Sequence, residues 1–455
     1  MTLDTADIQG NVLRGYTFPH AAHLFFEIRE PAGARAFLST LDVTRATFRP
    51  ASERPSTASN VCLSVVGLGK LVQRDGPFDE ALFGELRARY RAFGEGMKAR
   101  ASLLGDAWQH AAADWSHADV WVTLFAKERT QLDARVAETL SAAGGRLRLL
   151  LGGPLIGQAI ERGETRFEHF GFQDNISNPE IEGAREPHEQ VPLNLGNGKR
   201  DSEGRHGPLR AGEFLLGHPN ESGDLLLDDR LEHFVRNGSF VVFRDLAQHV
   251  HAFRKYVREA AQKLGREPRQ VEALIVGRWA DGRPLIESAP DDKTLNDFGY
   301  QHDRDGAKCP LASHVRRTHP RDASGIVEVS HRLLRRGMPY GPELKPDAND
   351  DDGTPRGLYF IALNADLERQ FEFVQRRWIN APTGTGLDDD LDPLLSGSQT
   401  RPLRMVIPGT GPRPLPRVID ALAQFVEFRG GGYFFMPSLT ALKALSRQDA
   451  AEARS

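Results

Sequence analysis

Two strand-to-helix patterns each occur twice along this chain, and that repetition constrains the fold more than any single motif. Leu24-Phe25-Phe26-Glu27-Ile28-Arg29 reads as a strand running into an alanine-rich helix that ends around Ala36-Phe37-Leu38. Phe240-Val241-Val242-Phe243-Arg244-Asp245 repeats the strand and leads to a helix through Ala252-Phe253-Arg254. The second pattern is Val120-Trp121-Val122-Thr123-Leu124-Phe125 ahead of a helix through Leu132 and Val136. It recurs as Leu358-Tyr359-Phe360-Ile361-Ala362-Leu363 ahead of a helix on which Leu367, Phe371 and Val374 share one face. Further strands are expected at 61–66, 146–151, 271–276 and 432–436. Strand-helix-strand-strand-helix-strand is the ferredoxin-like order, and two such units with antiparallel sheets packed together make an α+β protein. Strand-helix pairs are common, so chance repetition is the competing explanation. The stretch 192–212 is rich in Gly, Arg and Asn and precedes the strand-like Glu213-Phe214-Leu215-Leu216. The expected division is therefore 1–212 and 213–455.

The 455 residues suffice for two or three domains. A formal net charge of -4 with no basic domain argues against a nucleic-acid partner. No apolar run approaches the roughly 20 residues that span a bilayer. Met1-Thr2-Leu3-Asp4-Thr5-Ala6-Asp7-Ile8 carries neither a basic segment ahead of an apolar core nor a twin-arginine pair, so a cytoplasmic location is expected. Cys62 and Cys309 are compatible with one disulfide or with a reduced compartment. The acidic stretch 345–356, with Asp347, Asp350, Asp351 and Asp352, lacks EF-hand spacing and a closing glutamate, and reads as a solvated loop.

Three segments carry residues suited to chemistry. His314 lies in Cys309-Pro310-Leu311-Ala312-Ser313-His314-Val315-Arg316-Arg317-Thr318-His319-Pro320-Arg321. A neutral imidazole is a good iron ligand and the neighbouring arginines suit an anionic partner, although a single histidine among 15 is ordinarily a surface or core residue. Asp174 lies in Gly171-Phe172-Gln173-Asp174-Asn175, a turn before Asn178-Pro179. A carboxylate placed there can take a proton from one oxygen and return it to another, or be an ordinary Asx-turn residue. Asn175 is the commonest kind of non-glycine residue at positive φ. Arg335-Arg336-Gly337 offers permanent cations; on a strand, only one of two adjacent side chains faces a given side. No His-Glu-x-x-His, Walker A or nucleophile-elbow motif competes.

These segments resemble the dye-decolourising peroxidases. The His314 segment is similar to that family's Cys-Pro-x-x-Ala-His-Ile-Arg-x-x-x-Pro-Arg pattern, with Ser313 for Ala and Val315 for Ile. The Asp174 turn resembles the Gly-x-x-Asp-Gly motif, with Asn175 in the last position, and Arg335 to Tyr340 resembles Arg-Arg-Gly-x-x-Tyr. The likeness extends from Ile8-Gln9-Gly10 to about Leu442 and includes the segment from Phe428 to Leu439. It implies a duplicated ferredoxin-like α+β fold of the dimeric α+β barrel type, with one haem b per chain in the C-terminal half. His314 would be the axial iron ligand. Asp392 would accept its other N–H, in preference to Asp388, Asp389 or Asp390. Asp174 and Arg335 would be the catalytic pair, with Arg336 as the competing arginine. Ile176 and Ser177 at the haem edge, Arg316 and Arg321 at the propionates, and Leu358 and Phe360 as the apolar wall would complete the pocket. With no Cys-x-x-Cys-His, thioether attachment of that type is not expected. The implied reaction reduces hydrogen peroxide and oxidises dyes, phenols or other aromatic donors in one-electron steps through a ferryl-porphyrin radical. Bulky donors would react at the surface through Trp378, Tyr340 or Tyr359, and an oligomer is compatible with all of this. Two other readings stand: a haem-binding or haem-handling protein on the same fold, prompted by Asn175, and a non-haem ferredoxin-like protein.

Overall fold

The computed structural model describes residues 3–47, 53–108, 111–185, 198–200, 206–223, 228–286, 296–323, 328–346, 348, 350–382, 390–396, 403–409 and 415–447. In the first half, β1 (His20–Ile28), α1 (Pro31–Thr40), β2 (Thr57–Leu63), β3 (Val120–Ala126), α2 (Arg129–Ala143) and β4 (Leu147–Leu149) follow one another, and β5 (Leu155–Gln158) pairs beside β1. The second half runs through β6 (Ser239–Gln248), α3 (Val250–Leu264), α4 (Pro268–Val276), α5 (His314–Thr318), β7 (Leu334–Arg335), β8 (Met338–Tyr340) and β9 (Gly357–Asn364). Two π-helical segments, Glu368–Glu372 and Val374–Ile379, then precede β10 (Val426–Met436).

Hydrogen-bonded neighbours run β7-β9-β6-β10-β2-β3-β1-β4, with β8 beside β9 and β5 beside β1, in one ten-stranded sheet. In each half the strands lie in the order fourth, first, third, second: β4-β1-β3-β2 and β10-β6-β9-β7. The repetition seen in the sequence is thus a repetition of topology. The halves join where Phe435 of β10 pairs with Leu63 of β2. Among the described residues, the outermost strands β7 and β4 do not pair, so the sheet stays open where a barrel was expected.

Period-two alternation explains how the halves meet. Ala22, Leu24 and Phe26 of β1, with Val122 and Leu124 of β3, face the helices and pack with Phe37 of α1 and Leu132 of α2. The alternate residues, Phe25 and Trp121, face the second half and pack with Phe243, Tyr359, Ile361 and Phe434. Phe25 and Phe243 meet edge to face at 4.9 Å between ring centroids, a favoured arrangement for aromatic pairs. On β9 the same alternation buries Tyr359 and Ile361 against the first half and leaves Leu358 and Phe360 half-buried on the opposite side. That opposite side is where the candidate site forms.

Three expectations fail. Residues 271–276 are not a strand but the end of α4, which Pro268 opens and a reciprocal Glu267–Gln270 capping box fixes; Gly277, at φ 94°, ends it. The strand expected at 61–66 stops at Leu63, because the Ser64 hydroxyl accepts the Gly67 N–H and starts a helix at Val65. Glu213 closes a 3-10 turn, Ala211–Glu213, and 214–216 form no strand. Cys62 and Cys309 are both free and buried. No described helix is long and apolar enough to cross a membrane.

Candidate active site

A cavity of about 390 Å³ lies against the outer face of the second half's sheet. Arg244, Leu246 and Gln248 of β6, Leu358 and Phe360 of β9, and Val426 and Phe428 of β10 form one wall. His314 of α5, with Phe371, Val374, Gln375 and Ile379 of the π-helical segments, Leu394 and Leu395, forms another. The turn 173–178 and the segment from His331 to Arg335 complete the lining. The volume lies within the ordinary range for small-molecule sites.

His314 is the first residue of a short helix docked on α4. The Ser313 hydroxyl donates to Leu274 O at 2.6 Å, and Arg317 binds Asp390 O at 3.0 Å and Trp378 O at 2.5 Å. Arg317 thereby fastens the helix to the segment that supplies Asp392. His314 Nδ1 lies 2.8 Å from Asp392 Oδ2, whose other oxygen accepts the N–H groups of Leu394 and Leu395 at 2.9 and 2.8 Å. Burial pushes the Asp392 carboxyl up. The facing His314 and the Leu395 N–H outweigh it and hold the group below its ordinary range. An ionised carboxylate only accepts, so Nδ1 is the donor, and in the neutral imidazole that an iron requires as ligand the lone pair is on Nε2. Asp388 and Asp389 lie outside the described residues. Asp390 is buried and linked to Arg317 through its carbonyl.

Asn175 sits at φ 63°, the left-handed conformation expected of it. Asp174 Oδ1 accepts the Asn175 N–H at 2.6 Å, and the Asp174 N–H donates to Arg166 O at 2.8 Å. Both residues line the cavity, as do Ile176 and Ser177. Arg335 also lines it, and its Nη2 donates to Ser177 Oγ at 2.7 Å. Arg336 turns the other way, as strand alternation requires, to bind Asn11 O at 2.9 Å and Val12 O at 3.1 Å.

Arg316 and Arg321 are not brought to this cavity. Arg316 is spent on Asp303 and Cys309: its Nη1 reaches Asp303 Oδ2 at 2.9 Å and Cys309 O at 2.6 Å. Arg321 is buried over the Phe298 ring, 3.9 Å from the centroid, and donates to Asn296 O at 2.8 Å. The cations that do line the cavity on the side of Arg335 are Arg278 and Arg332, with His319 beside them. Burial, then the surrounding guanidiniums, drive the His319 imidazole well below its usual value; burial lowers Arg278 to about 10. Sequence reasoning missed these residues, although Arg332 stands three positions before Arg335. It also missed Glu168, which lines the cavity and accepts the N–H groups of Phe170 and Phe172, both at 2.9 Å, and Gln248 Nε2 at 2.7 Å. Burial raises its carboxyl. Trp378 is half-buried and packs edge-on against His331 at 5.4 Å, and Tyr340 stacks on the buried Tyr359 at 4.4 Å.

The donor set fits a haem. One imidazole has an anionic partner on its far nitrogen, apolar side chains form the walls, and cationic groups gather on one side to meet carboxylates.

Residues 220–396 match the family profile described as Dyp-type peroxidase, C-terminal. A dye-decolorizing peroxidase of Mycetinis scorodonius is 28% identical over 484 residues, covering 97% of this chain and 88% of its own. A multifunctional dye peroxidase of Amycolatopsis sp. is 37% identical over 238 residues, 48% of this chain and 50% of that protein. The crystal structure of a decolorizing peroxidase from Auricularia auricula-judae superposes with a TM-score of 0.79 at 26% identity, covering 98% of this chain and 100% of that one. Fold and likeness together define an α+β oxidoreductase of the peroxidase class. The chain carries the dye-decolourising peroxidase profile over residues 220–396 and is similar to dye-decolourising peroxidases, which are haem-dependent, over nearly its whole length.

Proposed function

We propose that this protein binds one haem b through His314, reduces hydrogen peroxide with Asp174 and Arg335, and oxidises dyes, phenols or related aromatic donors. The observation that carries the reading is the His314–Asp392 pair at 2.8 Å, on a cavity that Asp174 and Arg335 also line. Bound haem supplies the iron centre that exchanges electrons with peroxide and donor. The chain does the rest. Asp392 holds the His314 ring in the tautomer that presents Nε2 and raises its basicity. Asp174 removes a proton from one oxygen of peroxide and returns it to the other, which leaves as water. Arg335 stabilises negative charge on those oxygens, and its guanidinium is aimed by Ser177. Leu358 and Phe360 exclude water from the same space. Propionate binding falls to Arg332 and Arg278 in place of Arg316 and Arg321, because the former pair lines the cavity. The chain division at 212/213 belongs to the same proposal: the first part lends the Asp174 turn to a pocket built by the second.

Steady-state oxidation of an anthraquinone dye and of a methoxyphenol by the haem-loaded protein tests the reading. Turnover that requires both peroxide and haem is expected. Stoichiometric haem binding without turnover would replace the enzyme by a haem-handling protein. Asp392→Asn keeps the shape and removes the charge behind His314. Haem affinity is expected to fall about 10- to 100-fold, the usual loss for an outer partner of a metal-bound histidine, as measured by competition for haem with an acceptor protein.

A further inference from the structure

We propose that Asn175 is a positioning residue of this site, tying the Asp174 turn to the Arg335 segment through Asn178. The inference rests on the peroxidase reading above. The Arg335 N–H donates to Asn178 Oδ1 at 2.9 Å, and Asn178 Nδ2 donates back to Arg335 O at 3.1 Å. The same Nδ2 donates to Asn175 Oδ1 at 2.8 Å. This set of bonds has one consistent orientation. Asn178 Oδ1 must accept from a backbone N–H, so its amide nitrogen is the donor to both carbonyl-type oxygens, and Asn175 must turn its oxygen inward. One Asn178 amide thus grips the backbone of the strand that aims a guanidinium and the side chain next to the candidate acid–base carboxylate. A glycine, the residue of the resembled motif, would keep the turn at φ 63° and lack the bridge. Asn175 sits at the exposed edge of the cavity, so no core packing depends on it.

Asn175→Gly separates the bridge from the turn, since glycine adopts the left-handed conformation without strain. Two readouts are taken: amide hydrogen exchange at Arg335, and kcat/KM for peroxide at saturating donor. Exchange is expected to rise, and kcat/KM to fall, by about three- to tenfold, the factor set by one hydrogen bond of ordinary net strength. The donor's KM is expected to stay put, and Asn175→Asp, which keeps an acceptor oxygen, to restore the exchange rate. In an Asn178→Ala background, Asn175→Gly should add nothing further, because the two residues act as one unit. Unchanged Arg335 exchange in Asn175→Gly overturns the proposal, as do effects that multiply in the double variant. If Asn178→Ala does not fold, the exchange test on Asn175→Gly and its Asp rescue decide alone. Wild-type protein that loads haem but consumes no peroxide would remove the peroxidase reading, and the exchange test would still decide the bridge.

Discussion

Haem-loaded His314→Ala is expected to lose the Soret absorption of the wild-type protein, with haem affinity falling further than the about 100-fold that loss of an outer partner costs. The side chain supplies the imidazole nitrogen on this face of the cavity, with Nδ1 already committed to Asp392 at 2.8 Å. Truncation leaves a hole of imidazole shape and a fully buried Asp392 that keeps two of its partners, the N–H groups of Leu394 and Leu395. A buried carboxylate stripped of a hydrogen-bond donor is costly, so some loss of stability accompanies the loss of haem. Exogenous imidazole separates the two effects. It refills the hole, restores both the acceptor's partner and a nitrogen ligand, and should bring back the band in a folded variant. A Soret band of unchanged position and intensity in His314→Ala without imidazole would exclude His314 as the ligand.

Sequence and structure diverge where periodicity stops being informative. Strands β1, β3, β6 and β9 were legible because each is a run of apolar residues ahead of a helical pattern, with most of each run buried. The same property misled at α4. Val271, Ala273, Leu274, Ile275 and Val276 are all buried, so no polar stripe marks the helical period. The information lay upstream, in Glu267-Pro268-Arg269-Gln270, where proline at the first turn and a capping pair announce a helix.

At the site, the motif residues 174, 314 and 335 were found because they sit in distinctive local sequence, and all three reach one cavity. The cation partners were not legible. Arg316 and Arg332 are equally basic in sequence; what separates them is Asp303, thirteen positions before Arg316, which neutralises Arg316 in the interior, while Arg332 reaches His319 at 2.9 Å beside the cavity. Long-range pairing of this kind leaves no periodic trace. Strand alternation, by contrast, was enough to require that Arg335 and Arg336 part, and they do.

Asp174→Asn is expected to lower kcat/KM for hydrogen peroxide by about 10²- to 10⁴-fold, the range that a positioned acid–base group contributes. Among the described residues four carboxylates line the cavity, Asp106, Glu168, Asp174 and Glu427, and their surroundings decide between them. Asp106 is ion-paired with the buried Arg244. Glu168 is bound by the N–H groups of Phe170 and Phe172 and by Gln248, so its oxygens serve the turn. Glu427 pairs with His249 at 3.2 Å and Arg429 at 3.1 Å. Asp174 has neither a charged partner, as Asp106 and Glu427 do, nor the three donors that hold Glu168; its carboxylate accepts the adjacent Asn175 N–H, and it stands on the same turn as Ser177, which aims Arg335. A carboxylate that carries a proton between two peroxide oxygens must keep an oxygen unengaged, and Asp174 meets that condition. The Asn variant preserves the acceptor for the Asn175 N–H and hence the turn, so the deficit reports proton transfer and not a collapsed loop. Haem content and the donor's KM should remain those of the wild type, placing the loss on the peroxide step. Stopped-flow mixing of haem-loaded protein with peroxide measures that step directly, and equal rates in Asp174→Asn and wild type would move the proton-carrying role to another group.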